Sequence, residues 1–160
     1  MIIQNSIACR GFSICYGSMT PNENLVCPNT TDGFFNQWIY LYDGSALAGS
    51  EASQTTELTK DTLVDVSQYA GAPIKYVAGN SGATWLGINP IPTTKRYDAR
   101  LVKGTATETI NPSAKESFII CVEGSVTCNG VQLKPMQYAR VVNTSKTFEI
   151  NGTAIICTER

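Results

Sequence analysis

Residues 118–126 read Phe-Ile-Ile-Cys-Val-Glu-Gly-Ser-Val, and residues 38–46 read Trp-Ile-Tyr-Leu-Tyr-Asp-Gly-Ser-Ala, so one pattern occurs twice with a spacing of 80 positions. Each copy is an apolar run of five closed by an acidic residue, glycine and serine. A run this short, ended by a turn residue, fits a buried strand and is too brief for an amphipathic helix. Two further stretches extend the parallel: Leu58-Thr-Lys with Leu133-Lys-Pro, and residues 80–86 (Asn-Ser-Gly-Ala-Thr-Trp-Leu) with 151–156 (Asn-Gly-Thr-Ala-Ile-Ile). The spacing falls from 80 to about 70 along the chain, as longer turns in the first copy would produce, the polar 48–56 stretch among them.

Outward from these runs the chain keeps the same rhythm. Short β-rich segments recur every eight to ten residues with Gly, Asn, Pro or Ser between them. The second half predicts strands at 97–103, 105–111, 117–123, 125–128, 131–134, 137–142, 147–150 and 153–158. The first half predicts them at 12–16, 24–27, 37–43, 54–58, 62–66, 74–78 and 83–88. The expectation is an all-β protein made of two small barrels in tandem, residues 1–92 and 93–160, with Asn89-Pro-Ile-Pro-Thr-Thr as the linker.

Composition removes several function classes. No apolar run approaches the ~18 residues that a spanning helix needs. Twelve basic residues against thirteen acidic ones, a net charge of -1 and no basic cluster leave nothing to neutralise phosphates, so nucleic acid is not an expected partner. The first eleven residues lack the basic start and long apolar stretch of a secretory signal, so the expectation is a cytoplasmic protein. The six cysteines show no C-x-x-C spacing and sit mostly in apolar runs, which reads as buried free thiols. N-x-S/T triplets begin at Asn29, Asn143 and Asn151 and matter only in a secreted chain.

The second copy resembles the cupin superfamily over about 60 residues, and the whole chain resembles a small bicupin, a duplicated double-stranded β-helix or jelly-roll barrel. The family's first motif places a glycine, an H-x-H pair, a glutamate and a second glycine at set intervals. Gly104 and Gly124 hold the glycine positions, while Ile110 and Pro112 stand at the histidines and Ser117 at the glutamate. In the second motif Met136, Val142 and Thr144 depart from the pattern, Thr147 replaces the histidine, and Asn151 matches. The chain contains no histidine at all. Cupin metal sites use imidazoles and a carboxylate, so two apolar side chains and two hydroxyls imply no metal and no cofactor. Eighty residues earlier stand Thr30, Asp32 and Gln37, with Ile74 or Lys75 near the last ligand position, which is no better a set.

If Ser117 and Thr147 keep their family orientation, strand alternation turns Ile119, Cys121 and Glu149 into the second barrel. Ser117, Tyr138, Arg140, Thr147 and Glu149 then form the candidate ligand-binding set, with Arg140 as the partner of Glu149. The bland alternative leaves Tyr138, Arg140 and Glu149 on a solvent face, and Lys103, Lys115 and Glu116 read as surface charge. Trp38, Tyr40 and Tyr42 share one strand face, as do Phe118, Ile120 and Val122. Two such strips should meet each other, or meet a second copy in a homo-oligomer. With no histidine, metal-dependent and histidine-based catalysis are closed. The readings that remain are a metal-free binding module for a small organic ligand, a structural or interaction protein such as an assembly or virion accessory, and a metal-independent isomerase. The first is preferred, and an enzyme is not.

Overall fold

The computed structural model describes residues 2–8, 11–29, 35–112 and 115–160, with side chains from residue 11 onward. The chain divides into two compact units, Met1–Arg96 and Tyr97–Arg160. Both are built from antiparallel strands, with no α-helix among the described residues. Among the described residues no helix is long and apolar enough to cross a membrane.

The first unit carries β1 (Ile2–Ala8), β2 (Phe12–Met19), β3 (Asn24–Cys27), β4 (Trp38–Ser50), β5 (Gln54–Thr59), β6 (Leu63–Asp65) and β7 (Ile74–Pro90), with a 3-10 turn at Ser67–Tyr69. Its sheet runs β1-β2-β7-β4-β5, with β3 on β7 and β6 on β4. The second unit carries β8 (Tyr97–Ile110), β9 (Ser117–Cys128), β10 (Val131–Leu133), β11 (Tyr138–Val141) and β12 (Lys146–Glu159). Its order is β10-β9-β12-β8, with β11 also on β9. Neither sheet closes into a ring of paired strands.

The two sheets share a pairing scheme. In the first, β4 pairs with β5, β6 and β7, and β7 pairs with β2. In the second, β9 pairs with β10, β11 and β12, and β12 pairs with β8. One irregularity coincides as well, while a second shift in the β4–β7 ladder, between Gly44 and Ala46, has no counterpart in β9–β12. The β4–β7 ladder slips at Tyr42, between Leu41↔Trp85 and Asp43↔Thr84. The β9–β12 ladder slips at Val122, between Cys121↔Ala154 and Glu123↔Thr153.

The second unit has five strands where eight were expected, because three glycines read as turns are bends within continuous strands. Gly104, Gly152 and Gly124 are neighbours across the ladder, each with φ between +72 and +138. Along this line β8, β9 and β12 bend while each stays one continuous strand. The consequence is visible on β8. Arg100 and Glu108 would lie roughly 26 Å apart on a straight strand, yet they form a two-pronged ion pair at 2.8 and 3.1 Å. In the first unit, 74–78 and 83–88 likewise merge into β7, and Asn89 and Pro90 of the expected linker complete that strand. β1 had no counterpart among the expected strands.

Each unit has its own core. Ile39, Leu41, Leu58, Ile74, Tyr76 and Trp85 anchor the first; Ile119, Cys121, Val126, Phe148, Ile150 and Ile156 anchor the second. Period-two alternation assigns these faces: Ile119 and Cys121 point into the core, as expected. Cys15, Cys27, Cys121, Cys128 and Cys157 are free thiols, and Cys9 lies outside the described residues.

Candidate functional site

In the second unit the five residues expected to form a ligand site are not gathered in one place. Ser117 is buried on the core face of β9. Thr147 and Glu149 are exposed, because Phe148 and Ile150 take the inward positions of β12. The expectation that Glu149 enters an apolar cavity is therefore off by one residue, and in a strand one residue exchanges the faces. Thr147 shares a hydrogen bond of 3.0 Å with Thr109, its cross-strand neighbour.

Tyr138 and Arg140 lie opposite Ile120 and Phe118, on the face of β9 that points away from Ile119. Tyr138 stacks edge-on with Phe118, with ring centres 6.2 Å apart. Arg140 binds Glu116 at 2.8 Å, not Glu149. Glu116 is thus a structural partner: its side chain is 15% exposed, and its carbonyl accepts a hydrogen bond from the Glu159 amide. Nearby Tyr97 is fully buried, and its phenol is pushed up first by burial and then by the carboxylates of Glu116 and Glu159. Ser117 pairs across the sheet with Val141, which belongs to the apolar cluster of Ile110, Ile119, Cys121 and Phe148.

The first unit is different inside. A cavity of about 50 Å³ is lined by Cys15, Met19, Leu25, Cys27, Asn36, Ile39, Leu41, Ala46, Leu58, Tyr76, Ala83 and Trp85. β2 brings Cys15 opposite Gly87 of β7, and β3 ends on Cys27 opposite Ile74. Gly87 makes room there: a Cβ would sit 2.9 Å from the Cys15 sulfur and 3.4 Å from the Asn36 carboxamide oxygen.

Asn36 lies two residues before β4 and is held by two hydrogen bonds, one of them to a side chain that is itself anchored. Its backbone amide donates to Asn29 Oδ1 at 3.0 Å, and Asn29 Nδ2 donates to the Tyr69 carbonyl at 2.9 Å. Asn36 Nδ2 donates to the Tyr76 hydroxyl at 3.0 Å. The remaining polar atom, Asn36 Oδ1, is buried with no partner, although the residue is only 3% exposed. A carbonyl oxygen in that position forgoes a hydrogen bond that water would have supplied. Behind Cys15, Asn89 Nδ2 reaches Ser13 Oγ at 3.3 Å and the Cys15 sulfur at 3.5 Å.

The cavity is electrically neutral. No lining residue carries a charge at neutral pH, and burial opposes ionisation of those that could acquire one. Burial pushes Cys27 up to about 11, and the Cys15 thiol and Tyr76 phenol also upward. Sequence reasoning missed this site. The available signals were a paired amide, Asn36-Gln37, directly before an apolar strand, and a tyrosine at an inward position between Ile74 and Ala78.

No family model and no curated protein sequence matches the chain. Solved structures do. The chain is similar to HutD from Pseudomonas fluorescens SBW25, at TM-score 0.63 and 12% identity over 92% of this chain and 77% of that one. It is similar to AerE from Microcystis aeruginosa, at TM-score 0.64 and 8% identity over 97% and 90%. It also superposes on a cupin 2 conserved barrel domain protein from Leptotrichia buccalis, at TM-score 0.57 and 7% identity over 100% and 91%. The fold is a cupin fold.

The residues present do not fit the metal that many cupins carry. Ile110 is buried in the core and Thr147 faces outward, so of the positions that resemble ligand sites Ser117 alone offers an inward polar atom. Among the described residues no three His, Cys, Asp or Glu side chains converge.

Proposed function

We propose that this cupin-fold chain is a binding module that holds a small organic molecule without a metal, and that the ligand occupies the interior of the first unit. The observation that carries this reading is the apolar cavity of about 50 Å³ in the first unit, with Asn36 and Tyr76 among its lining residues. Small-molecule sites are mostly apolar concavities in which a few polar groups set orientation. Catalysis has less support, because the cavity offers no base at neutral pH: its two thiols and its phenol all stay protonated.

We propose further that the two units are copies of one ancestral cupin barrel. Supporting this are the shared pairing scheme and the matched ladder slips at Tyr42 and Val122, which carry the same spacing of 80 as the repeated sequence pattern. One copy then keeps a ligand cavity and the other serves as its supporting half.

Native mass spectrometry of freshly purified protein tests the binding reading. A small adduct that disappears on Trp85→Ala or Leu58→Phe, both in the cavity wall, is expected. An adduct that survives both substitutions would move the site elsewhere, and its loss on Thr147→Val or Arg140→Ala would restore the second unit as the binding half.

A further inference from the structure

Where β3, β7, β4 and β5 lie side by side, Tyr76, Ala48 and Leu58 point into the core of the first unit. Alternation turns their neighbours outward, onto the face away from the cavity. There Val77 stands between Asn24 and Leu47, and Leu47 stands beside Glu57 in turn. One rung along, Val26 pairs with Lys75. Solvent-facing sides of antiparallel sheets are ordinarily polar, yet Leu47 is 41% exposed and Val26 49% exposed. Leu47 and Val77 also line an open depression of about 390 Å³, with Ser45, Glu57 and Thr59 at its rim.

Two charges flank these aliphatic side chains. By strand spacing and rise, Lys75 and Glu57 lie roughly 12 Å apart on the sheet, with Leu47 and Val77 between them. Among the described residues neither has an ion-pair partner. The neighbouring charges are already matched: Lys60 pairs with Asp43 at 3.7 Å, and Glu23 accepts a hydrogen bond from the Thr20 amide at 2.7 Å. The patch is therefore a short apolar line with a base at one end and an acid at the other.

We infer that this outer face is the contact between two copies of the chain, joined about a twofold axis that sets Lys75 of each copy against Glu57 of the other over a shared centre of Leu47 and Val77. A twofold contact uses one patch twice, so the patch must complement itself. An axis lying in the face and crossing β4 midway between Lys75 and Glu57 exchanges those two ends and brings both apolar centres together. A partner of one charge sign would meet a like charge at one end of the line, whereas a second copy meets an opposite charge at both. The face offers roughly eight residues a copy, against 20–30 in an interface of standard size, so the dimer is weak, with a Kd on the order of 100 µM. The cavity lies on the other side of these strands, at Ala46, Leu58 and Tyr76, so the contact and the ligand site are independent.

Sedimentation velocity of the full chain, from about 10 µM to about 1 mM, tests this. The wild type should pass from monomer to dimer over that range. Glu57→Lys and Lys75→Glu each turn two attractive pairs into two repulsive ones, so each should weaken the dimer about tenfold or more. The double variant carrying both changes reverses every charge and should return to the wild-type Kd. Leu47→Ser, which removes the apolar centre, should leave a monomer throughout. A wild type that stays monomeric at the highest concentration overturns the inference. So does a dimer that survives both single reversals, or a double variant no tighter than the singles, since either would put the contact on another surface. All four substituted positions are at least partly exposed, and thermal unfolding at the lowest concentration should match the wild type. The wild-type series can refute the dimer without any variant.

Discussion

Replacing Gly124 by alanine should be far more damaging than the same change at Gly104, although both glycines have positive φ in neighbouring positions along one bend. At Gly124 φ is +72, and an added Cβ would lie 2.1 Å from the Asn151 carbonyl oxygen and 3.1 Å from Gly152 Cα. Those atoms are backbone in the β9–β12 ladder, so they cannot rotate away as a side chain would. At Gly104 φ is +87 and nothing lies within 4 Å of the same Cβ. The left-handed conformation alone costs an alanine ~1–2 kcal/mol, which is the whole effect expected for Gly104→Ala. Gly124→Ala adds the displacement of a packed strand, ~1–3 kcal/mol by comparison with overfilled cores, for a total of about 2–5 kcal/mol. The difference of about 2 kcal/mol should separate the two urea midpoints by about 1 M. Circular dichroism is the suitable signal, because both tryptophans, Trp38 and Trp85, lie in the first unit. Equal midpoints for the two variants would refute the idea that close backbone approach makes Gly124 a glycine.

Two further outcomes rest on buried side chains. Cys27, held at about 11 against an ordinary 9.0, should have about a hundredfold less thiolate at pH 8 than a solvent thiol, so iodoacetamide followed by peptide mass mapping should label it slowly in the folded protein. The sign of its pH dependence is fixed: the folded state keeps its proton longer, so the thiol's contribution is fully present below pH 9 and is lost as pH rises through about 11. Cys27→Ala should flatten the alkaline fall in stability, and an unchanged slope would remove Cys27 as its source. For the aromatic strip, Tyr40 is already fully buried within one chain, its hydroxyl bonded to Asp61 at 3.1 Å, while Trp38 and Tyr42 are half-buried. Trp38→Ala should therefore cost about 1–2 kcal/mol at every protein concentration. A loss that grows on dilution would instead assign the strip to a contact between copies.

The all-β class and most strand positions were legible because alternation and turn residues act locally. What the sequence hid was the difference between a turn and a bend. Gly104, Gly124 and Gly152 each look like chain reversals, yet they leave the ladder unbroken, since a glycine with positive φ serves either purpose. Facing was the second failure. Placing Thr147 inward by family analogy carried Glu149 with it, whereas the apolar Phe148 and Ile150 were the better guide to the inner face. The third concerned contacts between distant segments. Asn36 meets Tyr76 across 40 residues, and Glu116 meets Arg140 through a fold-back of the chain, and neither pairing leaves a periodic trace.

The contrast between the two interiors is what favours the first unit for the proposed ligand site. In the second, Ile119, Cys121, Val126, Phe148, Ile150 and Ile156 form an apolar cluster, and the partly buried Glu116–Arg140 pair is a charged one. In the first, the same pairing scheme encloses an amide and a phenol that satisfy each other only in part. A buried amide left short of a partner costs ~1–3 kcal/mol, whereas replacing both members of a buried pair by apolar groups of similar shape is close to neutral or stabilising. A unit built for packing alone would therefore gain by exchanging Asn36 and Tyr76 for leucine and phenylalanine. The single variant Asn36→Leu should be destabilised by about 1–3 kcal/mol, because Tyr76 then loses the amide that donates to its hydroxyl. The double variant with Tyr76→Phe should recover to wild-type stability or exceed it. Thermal unfolding of the two variants measures this directly. A double variant as unstable as the single one would mean that the Asn36–Tyr76 pair serves the fold, and that the first interior, like the second, is a core.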